Sequence, residues 1–467
     1  IWSVIMATSN MNGVSSTRAS RQERYKAGRA LRASVPRESH ADCLLPTGRD
    51  PVAILRATDA ERIPELLPER YNRMMKSSFL FLRGAAAVMA QDLASQPMAG
   101  IPVQACGDCH LMNFGAFNTP EDRVLFDIND FDETLPGVDF TVDLKRLAAS
   151  VAVAAIDADM PDKKARALAQ TTVKSYREFL LELAALPPLE IWYTRMDVAR
   201  EVKQIGDEGL RDKIFSTLVK AKKDLAADDN FPHLAKANGS SARIEDRPPL
   251  IRHFDTEALR PYKIHAHSAF ANYRATLLPE RRRLTEHYEL ADLALKIVGV
   301  GSVGTFCAIG LFMTADGDHL FLQVKQALHS VLEKCAAPPK DLAHQGIRVV
   351  EGQRAMQAAS DIFLGWTEDK ESGRYFYVRQ LKNRRLGSIG EVMEEGALGA
   401  YASLCGRTLA RAHARSGDPA ALAGYMGKSE VIDDALASFA MAYAAQTKQD
   451  HAKLKAAHRE NSGIAAE

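Results

Sequence analysis

The sequence predicts an α+β protein of two lobes, one rich in strands and one large and helical. Three observations carry that expectation. Residues 291 to 382 alternate apolar, β-branched runs with a single helical stretch. Residues 141 to about 290, and again 383 to 467, read mostly as alanine-rich helices. Between them and the first helices lies an acidic hairpin pattern at 106 to 132. At 46% apolar and 25% charged the composition is that of an ordinary globular chain, and 467 residues exceed one typical core, so two lobes plus an extension fit.

Residues 1–45, rich in Ser, Arg and Ala, form an N-terminal extension whose start is expected to be disordered. Residues 46–290 open the helical lobe, with an amphipathic helix across Phe79 to Leu93 leading to a strand before Cys106. Arg83 on that helix either points toward the site or lies on the helix surface. Leu144 to Ile156 and Lys163 to Leu186 have helical periodicity, which Leu186-Pro-Pro-Leu189 breaks. In the β-rich lobe, residues 291–382, Phe306 to Met313 and Leu320 to Val324 are strands joined by the turn Ala315-Asp-Gly-Asp318. Ile347 to Ser360 is its helix, and Tyr375 to Leu381 its last strand before a hinge. Residues 383–467 return to the large lobe as helices Glu391 to Ala414 and Glu430 to His458, separated by Gly417-Asp-Pro419; His413 reads as a packed helix histidine. No internal repeat is apparent. Ile297 to Met313 is uncharged for 17 residues, just short of a membrane span, yet its glycines and β-branched residues fit paired core strands better.

Sixty basic and 59 acidic residues give a net charge of +1, so nothing global draws the chain to nucleic acid or membrane. Arg281-Arg-Arg283 fits a solvated helix end; Arg384-Arg385 could face a nucleotide or acceptor. Six cysteines without framework spacing suggest a reducing compartment, and with no evident signal or transmembrane segment the expected location is the cytoplasm.

The chemistry concentrates in Cys106-Gly-Asp-Cys-His-Leu-Met-Asn113 and Phe126-Asp-Ile-Asn-Asp-Phe-Asp132. Asp108 and Asn113 are five apart, the offset between catalytic Asp and metal-binding Asn in kinase loops, and Asp-Phe-Asp follows where kinases carry Asp-Phe-Gly. Phosphoryl transfer asks for positioning and charge neutralisation, and magnesium takes one or two carboxylates or amides beside the phosphates. Asn113 and Asp130 are the expected magnesium ligands and Asp108 the group that orients or accepts the hydroxyl proton. Asp132 and Asp127 are rivals for the metal: if the segment is extended, period two puts Asp130 and Asp132 on one face and Asp127 on the other. Competing readings are solvated turn acids, haem attachment through Cys106-Gly-Asp-Cys109-His110, a zinc site on Cys106, Cys109 and His110 that lacks further ligands at usual spacing, and a reactive dithiol.

Downstream, Gly299, Gly301 and Gly304 form G-x-G-x-x-G, with Ser302 inside it, in a strand–turn–strand context rather than the strand–helix of dinucleotide folds. Lys325 ends the following strand. Glycines let backbone amides approach phosphates, and a strand lysine pairs with phosphates and a helix glutamate, for which Glu351 is the candidate and Glu333 a nearer, less convincing one.

These blocks, with Arg49-Asp-Pro-Val, Phe79-Leu-Phe-Leu-Arg-Gly-Ala-Ala and Gly406-Arg-x-Leu-Ala-Arg-Ala-His413, resemble the bacterial domain of unknown function 2252 family across most of the chain. The loop is also similar to the His-Gly-Asp-x-His-x-x-Asn of choline and aminoglycoside kinases, with Cys106 for the first His, and Gly137-Val-Asp139-Phe-Thr-Val-Asp143-Leu echoes their Gly-Asp-Pro-x-x-Asp-Leu-Ala. The resemblance implies a protein-kinase-like two-lobed fold in permuted order, since glycines and lysine follow the catalytic loop here. It implies a phosphotransferase using ATP and Mg2+ on an unknown hydroxyl-bearing acceptor, small molecule or protein. The alternatives are a silent nucleotide-binding, regulatory pseudokinase and a nucleotidyl (AMP) transferase.

Overall fold

The computed structural model describes residues 19–119, 121, 123–203, 234–238, 241–255, 257, 259–262, 264–297, 299–340, 342–381 and 397–461. Helices dominate both ends of the described chain, and the strands pair antiparallel in small sheets, which makes the protein α+β.

The strands are β1 (Pro102–Ala105), β2 (Phe114–Asn118), β3 (Val124–Ile128), β4 (Leu135–Asp139), β5 (Ala235–Asn238), β6 (Ser241–Ile244), β7 (Ile251–Arg252), β8 (Glu289–Lys296), β9 (Cys307–Met313), β10 (His319–Gln326), β11 (Gly365–Asp369) and β12 (Arg374–Gln380). Six of them form one sheet in the order β11-β12-β10-β9-β8-β7, while β1-β4, β2-β3 and β5-β6 are separate pairs. The large sheet sorts its side chains by the two-residue period of a strand. Ala308 and Phe312 of β9, Leu320, Leu322 and Val324 of β10, and Phe376 and Val378 of β12 enter one apolar cluster with Phe254, Tyr273 and Phe306. The alternate positions of β10 and β12, Gln323, Lys325, Tyr377 and Arg379, therefore share the opposite face. Register puts Lys325 across from Tyr377 and Gln323 across from Arg379, so each pair stands side by side.

The largest apolar cluster surrounds the helix Phe140–Asp157, of which every residue from Phe140 to Ala155 is buried. Its turns act as a ruler for the segment before it. The N-cap Asp139 accepts from Thr141 N at 3.0 Å and from Gly100 N and Ile101 N at 2.7 and 3.1 Å. One turn on, Asp143 accepts from Cys106 N at 2.7 Å and Gly107 N at 3.0 Å. Arg146 then reaches Asp108, and Ser150 Oγ accepts from Leu111 N at 3.2 Å. Positions 139, 143, 146 and 150 lie on one helix face, so successive turns hold successive residues of the loop.

Most expected elements occur: Phe140–Asp157, Asp162–Ala185, Gln345–Met356, Leu398–Ser416 and Val431–Asn461 are helices, while residues 391–396 of the helix expected from Glu391 lie outside the described set. Three differ. The helix expected over Phe79 to Leu93 is two, Ser78–Gly84 and Ala86–Leu93, broken at Ala85 (φ −111°, ψ 36°), and Met74 packs where a side chain at residue 84 would be. The stretch 141 to 290 contains strands as well as helices: β5 to β7 lie in it, β7 joins the large sheet, and the helix Ala266–Ala275 packs on that sheet through Phe270 against Phe312. Within the N-terminal extension, Arg21–Ala30 is a capped helix whose Arg24 pairs with Asp418 at 2.7 Å; residues 1–18 lie outside the described set, as do Arg384 and Arg385. Among the described residues no helix is long and apolar enough to cross a membrane, and the described residues from Ile297 to Met313 belong to the β8-β9 region as turn and strand.

Candidate functional site

The loop after β1 begins with Gly107, whose φ of +93° suits glycine and whose Cβ, if present, would lie 2.3 Å from Glu133 O. Asp108 follows, 18% exposed, with Oδ1 taking both Nε (2.6 Å) and Nη2 of Arg146. Its Oδ2 faces His110 Nε2 at 3.5 Å. Burial lifts the Asp108 carboxyl above the usual carboxylate range, against the pull of Arg146. Asn113 Nδ2 donates to Asp108 O at 2.5 Å, which leaves Oδ1 as the acceptor end of the amide.

The β2-β3 hairpin delivers the second group of acids. Regular pairing ends at Ile128, and Asp130 and Asp132 sit on the turn that leads to β4. Asp130 is 32% exposed; its Oδ1 accepts from Asp132 N at 3.2 Å and lies 3.9 Å from Lys325 Nζ. Asp132 is more heavily engaged: Lys325 Nζ and Ser302 Oγ (3.3 Å) donate to Oδ2, and Tyr377 Oη donates to Oδ1 at 2.6 Å. Although burial works against ionisation, Lys325 and Tyr377 hold this carboxyl below its usual range. Lys325 itself, 2% exposed, is held well above the ordinary lysine range by Asp130 and Asp132 despite its burial. Asp132 and Lys325 are 193 residues apart in sequence.

The glycine segment lies on this group. Arg62 Nη1 donates to Gly301 O (3.1 Å) and Val303 O, and Ile63 N donates to Gly304 O at 2.7 Å, so the turn is fixed by its carbonyls. Gly304 has φ +91°. A Cβ at Gly301 would lie 3.0 Å from Arg83 O and 3.8 Å from Asp108 Oδ2, and one at Gly299 would lie 3.9 Å from Arg83 Nη2. Arg83 is thus beside the glycines rather than on a remote helix surface. Ser302, Gly301, Asp108, Asn113, Asp130, Asp132 and Lys325 form one neighbourhood.

Two expected members are elsewhere. Asp127 is fully buried on the far side of the hairpin, where its carboxylate takes Arg411 Nη2, Ile128 N (2.9 Å) and Ala358 N (2.9 Å). It is an internal counter-ion, held against Arg411 rather than beside Lys325. Glu351 is exposed on the outward stripe of the Gln345–Met356 helix. The inward stripe carries Arg348 instead, which donates to Asp132 O at 2.9 Å and Leu328 O at 2.7 Å. Lys325 is therefore partnered by Asp132 and not by a helix glutamate, and Glu333 is occupied by His329 at 3.0 Å.

Sequence reasoning missed Arg146, Tyr377, Arg379 and Ser150. Arg146 was findable, three residues beyond Asp143 on the face that holds the loop. Tyr377 and Arg379 are two apart on a strand; nothing local tells which face meets the acids. Arg379 donates to Asn129 O at 2.9 Å and to Gln323 Oε1 at 3.0 Å. Together these groups can bind an anion between lysine and glycine amides and offer amide and carboxylate oxygens to a hard cation beside it.

No curated protein and no solved structure matches the chain. Residues 62–457 match the family described as "Uncharacterized protein conserved in bacteria (DUF2252)", and the chain belongs to that family.

Proposed function

We propose that the site binds ATP with magnesium and transfers a phosphoryl group to a hydroxyl-bearing acceptor, on a two-lobed kinase-like scaffold with its parts in permuted order. The observation that carries the reading is the contact of Lys325 with Asp132 beneath Gly301 and Ser302, which joins glycine turn, strand lysine and acids in one place. Strand order supports it too. β8 and β9 flank the glycines and β10, the next strand, carries the lysine, as the third strand does in kinases.

In this reading Lys325 and the glycine amides hold the phosphates, and Asn113 Oδ1 with Asp130 would hold magnesium. Asp130 suits that role better than Asp132, whose Oδ2 is committed to the Lys325 ammonium. Magnesium held there would supply positive charge to offset that of the phosphates. Asp108 presents Oδ2 to the acceptor hydroxyl, with Oδ1 immobilised by Arg146.

The test is ATP consumption with magnesium and candidate acceptors, beside thermal unfolding with and without Mg-ATP. At about a hundred times its dissociation constant the nucleotide should stabilise the fold by roughly 2.7 kcal/mol. Lys325→Ala should blunt that shift, and Asp108→Asn should lower turnover while keeping it. Equal turnover by Asp108→Asn removes Asp108 from its role; no shift in the wild type removes nucleotide binding altogether. A shift without turnover for any acceptor favours the silent nucleotide-binding module, a reading suggested by the exposed position of Glu351.

A further inference from the structure

The phosphate site leaves Cys106 and Cys109 unused, although they bracket Asp108. Both are buried free thiols, at 1% and 0% exposure. Their sulfurs and a carboxylate oxygen of Asp143 all lie within 4.8 Å of one another. An ion with zinc–sulfur bonds of about 2.3 Å and zinc–oxygen bonds of about 2.1 Å spans donors up to roughly 4.6 Å apart, so three such donors converge with little adjustment.

Asp143 gives the arrangement its meaning. It is fully buried, and among the described residues His413 alone meets it as an ion-pairing group, Nε2 to Oδ2 at 3.3 Å. Besides the Cys106 and Gly107 amides it accepts from, no ammonium or guanidinium among the described residues pairs with the carboxylate, whereas Asp127, Asp92 and Asp433 each have an arginine. Buried carboxylates are as a rule paired or metal-bound. Behind it, His413 Nδ1 meets Tyr176 Oη at 2.9 Å, a chain of polar groups that would orient a ligating carboxylate. His110, the third zinc ligand considered from sequence, is not part of the cluster: its Nδ1 accepts from Met112 N at 3.1 Å and its Nε2 faces Asp108.

We propose that Cys106, Cys109 and Asp143 bind a thiophilic divalent cation, zinc by preference, which ties the loop carrying Asp108 to the Phe140–Asp157 helix. The fourth position goes to a water or to His413 Nε2. Binding replaces the two S–H bonds by metal–sulfur bonds and releases both protons to solvent, with no change of oxidation state. Two thiolates select zinc or cobalt over magnesium, so this centre is chemically distinct from the acids at Asp108, Asp130 and Asp132.

The experiment is metal analysis of the full chain after equilibration with zinc and dialysis, together with titration by Co2+, whose thiolate charge-transfer absorption reports sulfur ligation. One retained zinc per chain and a cobalt–thiolate band are expected, both lost in Cys106→Ser/Cys109→Ser and both kept in Asp130→Asn. A wild type that retains no zinc and gives no thiolate band overturns the proposal. So does retention of zinc by the double variant at the wild-type level. Should the double variant not fold, the cobalt band of the wild type decides alone.

Discussion

Replacing Asp127 by Ala separates a structural ion pair from a metal ligand, because the two roles predict opposite losses. The Arg411 side chain is 0% exposed and that of Asp127 1%. Arg411 Nε and Nη1 already lack hydrogen-bond partners, so Asp127 provides the counter-charge for a guanidinium sealed from water. Removing it strands that charge together with the amides of Ile128 and Ala358. Breaking one partner of a buried pair costs about 3–5 kcal/mol, since desolvation of the remaining ion is no longer offset. Denaturant unfolding followed by circular dichroism should give a loss in that range for Asp127→Ala. Arg411→Met added to it should recover most of the loss, because the pair is then replaced by apolar packing. The stabilisation by Mg-ATP should be unchanged in folded Asp127→Ala. A cost below about 1 kcal/mol, or a double variant whose cost is the sum of the singles, refutes the counter-ion argument. Loss of the Mg-ATP shift with full stability would return Asp127 to the metal.

Gly107→Ala should cost about 1–3 kcal/mol from the φ of +93° alone, and more from the 2.3 Å approach to Glu133 O, read by urea unfolding; wild-type stability would show that the turn is not as described. Glu133 is pushed up to about 7 by burial, against the Val331 amide and Arg348. A carboxyl raised on folding stabilises in full below about pH 4.5 and loses that contribution as pH rises through about 7, so Glu133→Gln should flatten the decline between pH 5 and 8. An unchanged decline excludes Glu133 as its source. His40, driven down to about 3 by burial and by Lys145, acts in the other direction: its contribution is present above about pH 6.5 and is lost as pH falls toward 3. His40→Gln should therefore shift the acid unfolding midpoint downward in a pH titration, provided the bond to Tyr425 Oη is kept.

The elements and the residue types were legible in the chain alone. Helical periodicity located Phe140–Asp157 and Asp162–Ala185, and alternation with an Asp-Gly turn located β9 and β10, because those patterns are set by neighbours a few residues away. Alternation does not account for the separation of Asp130 and Asp132 from Asp127, because the strand ends at Ile128 and both lie on the turn beyond it. Which side chains meet became visible only in the packed fold. Lys325 takes Asp132 rather than Glu351, since the face a helix turns inward depends on what it packs against, and that face carries Arg348. Arg146 joins Asp108, and Asp143 joins Cys106 and Cys109, because a helix downstream runs along the loop at matching spacing. Contacts across such separations follow from burial of the whole apolar surface at once, a property that no short window of residues contains.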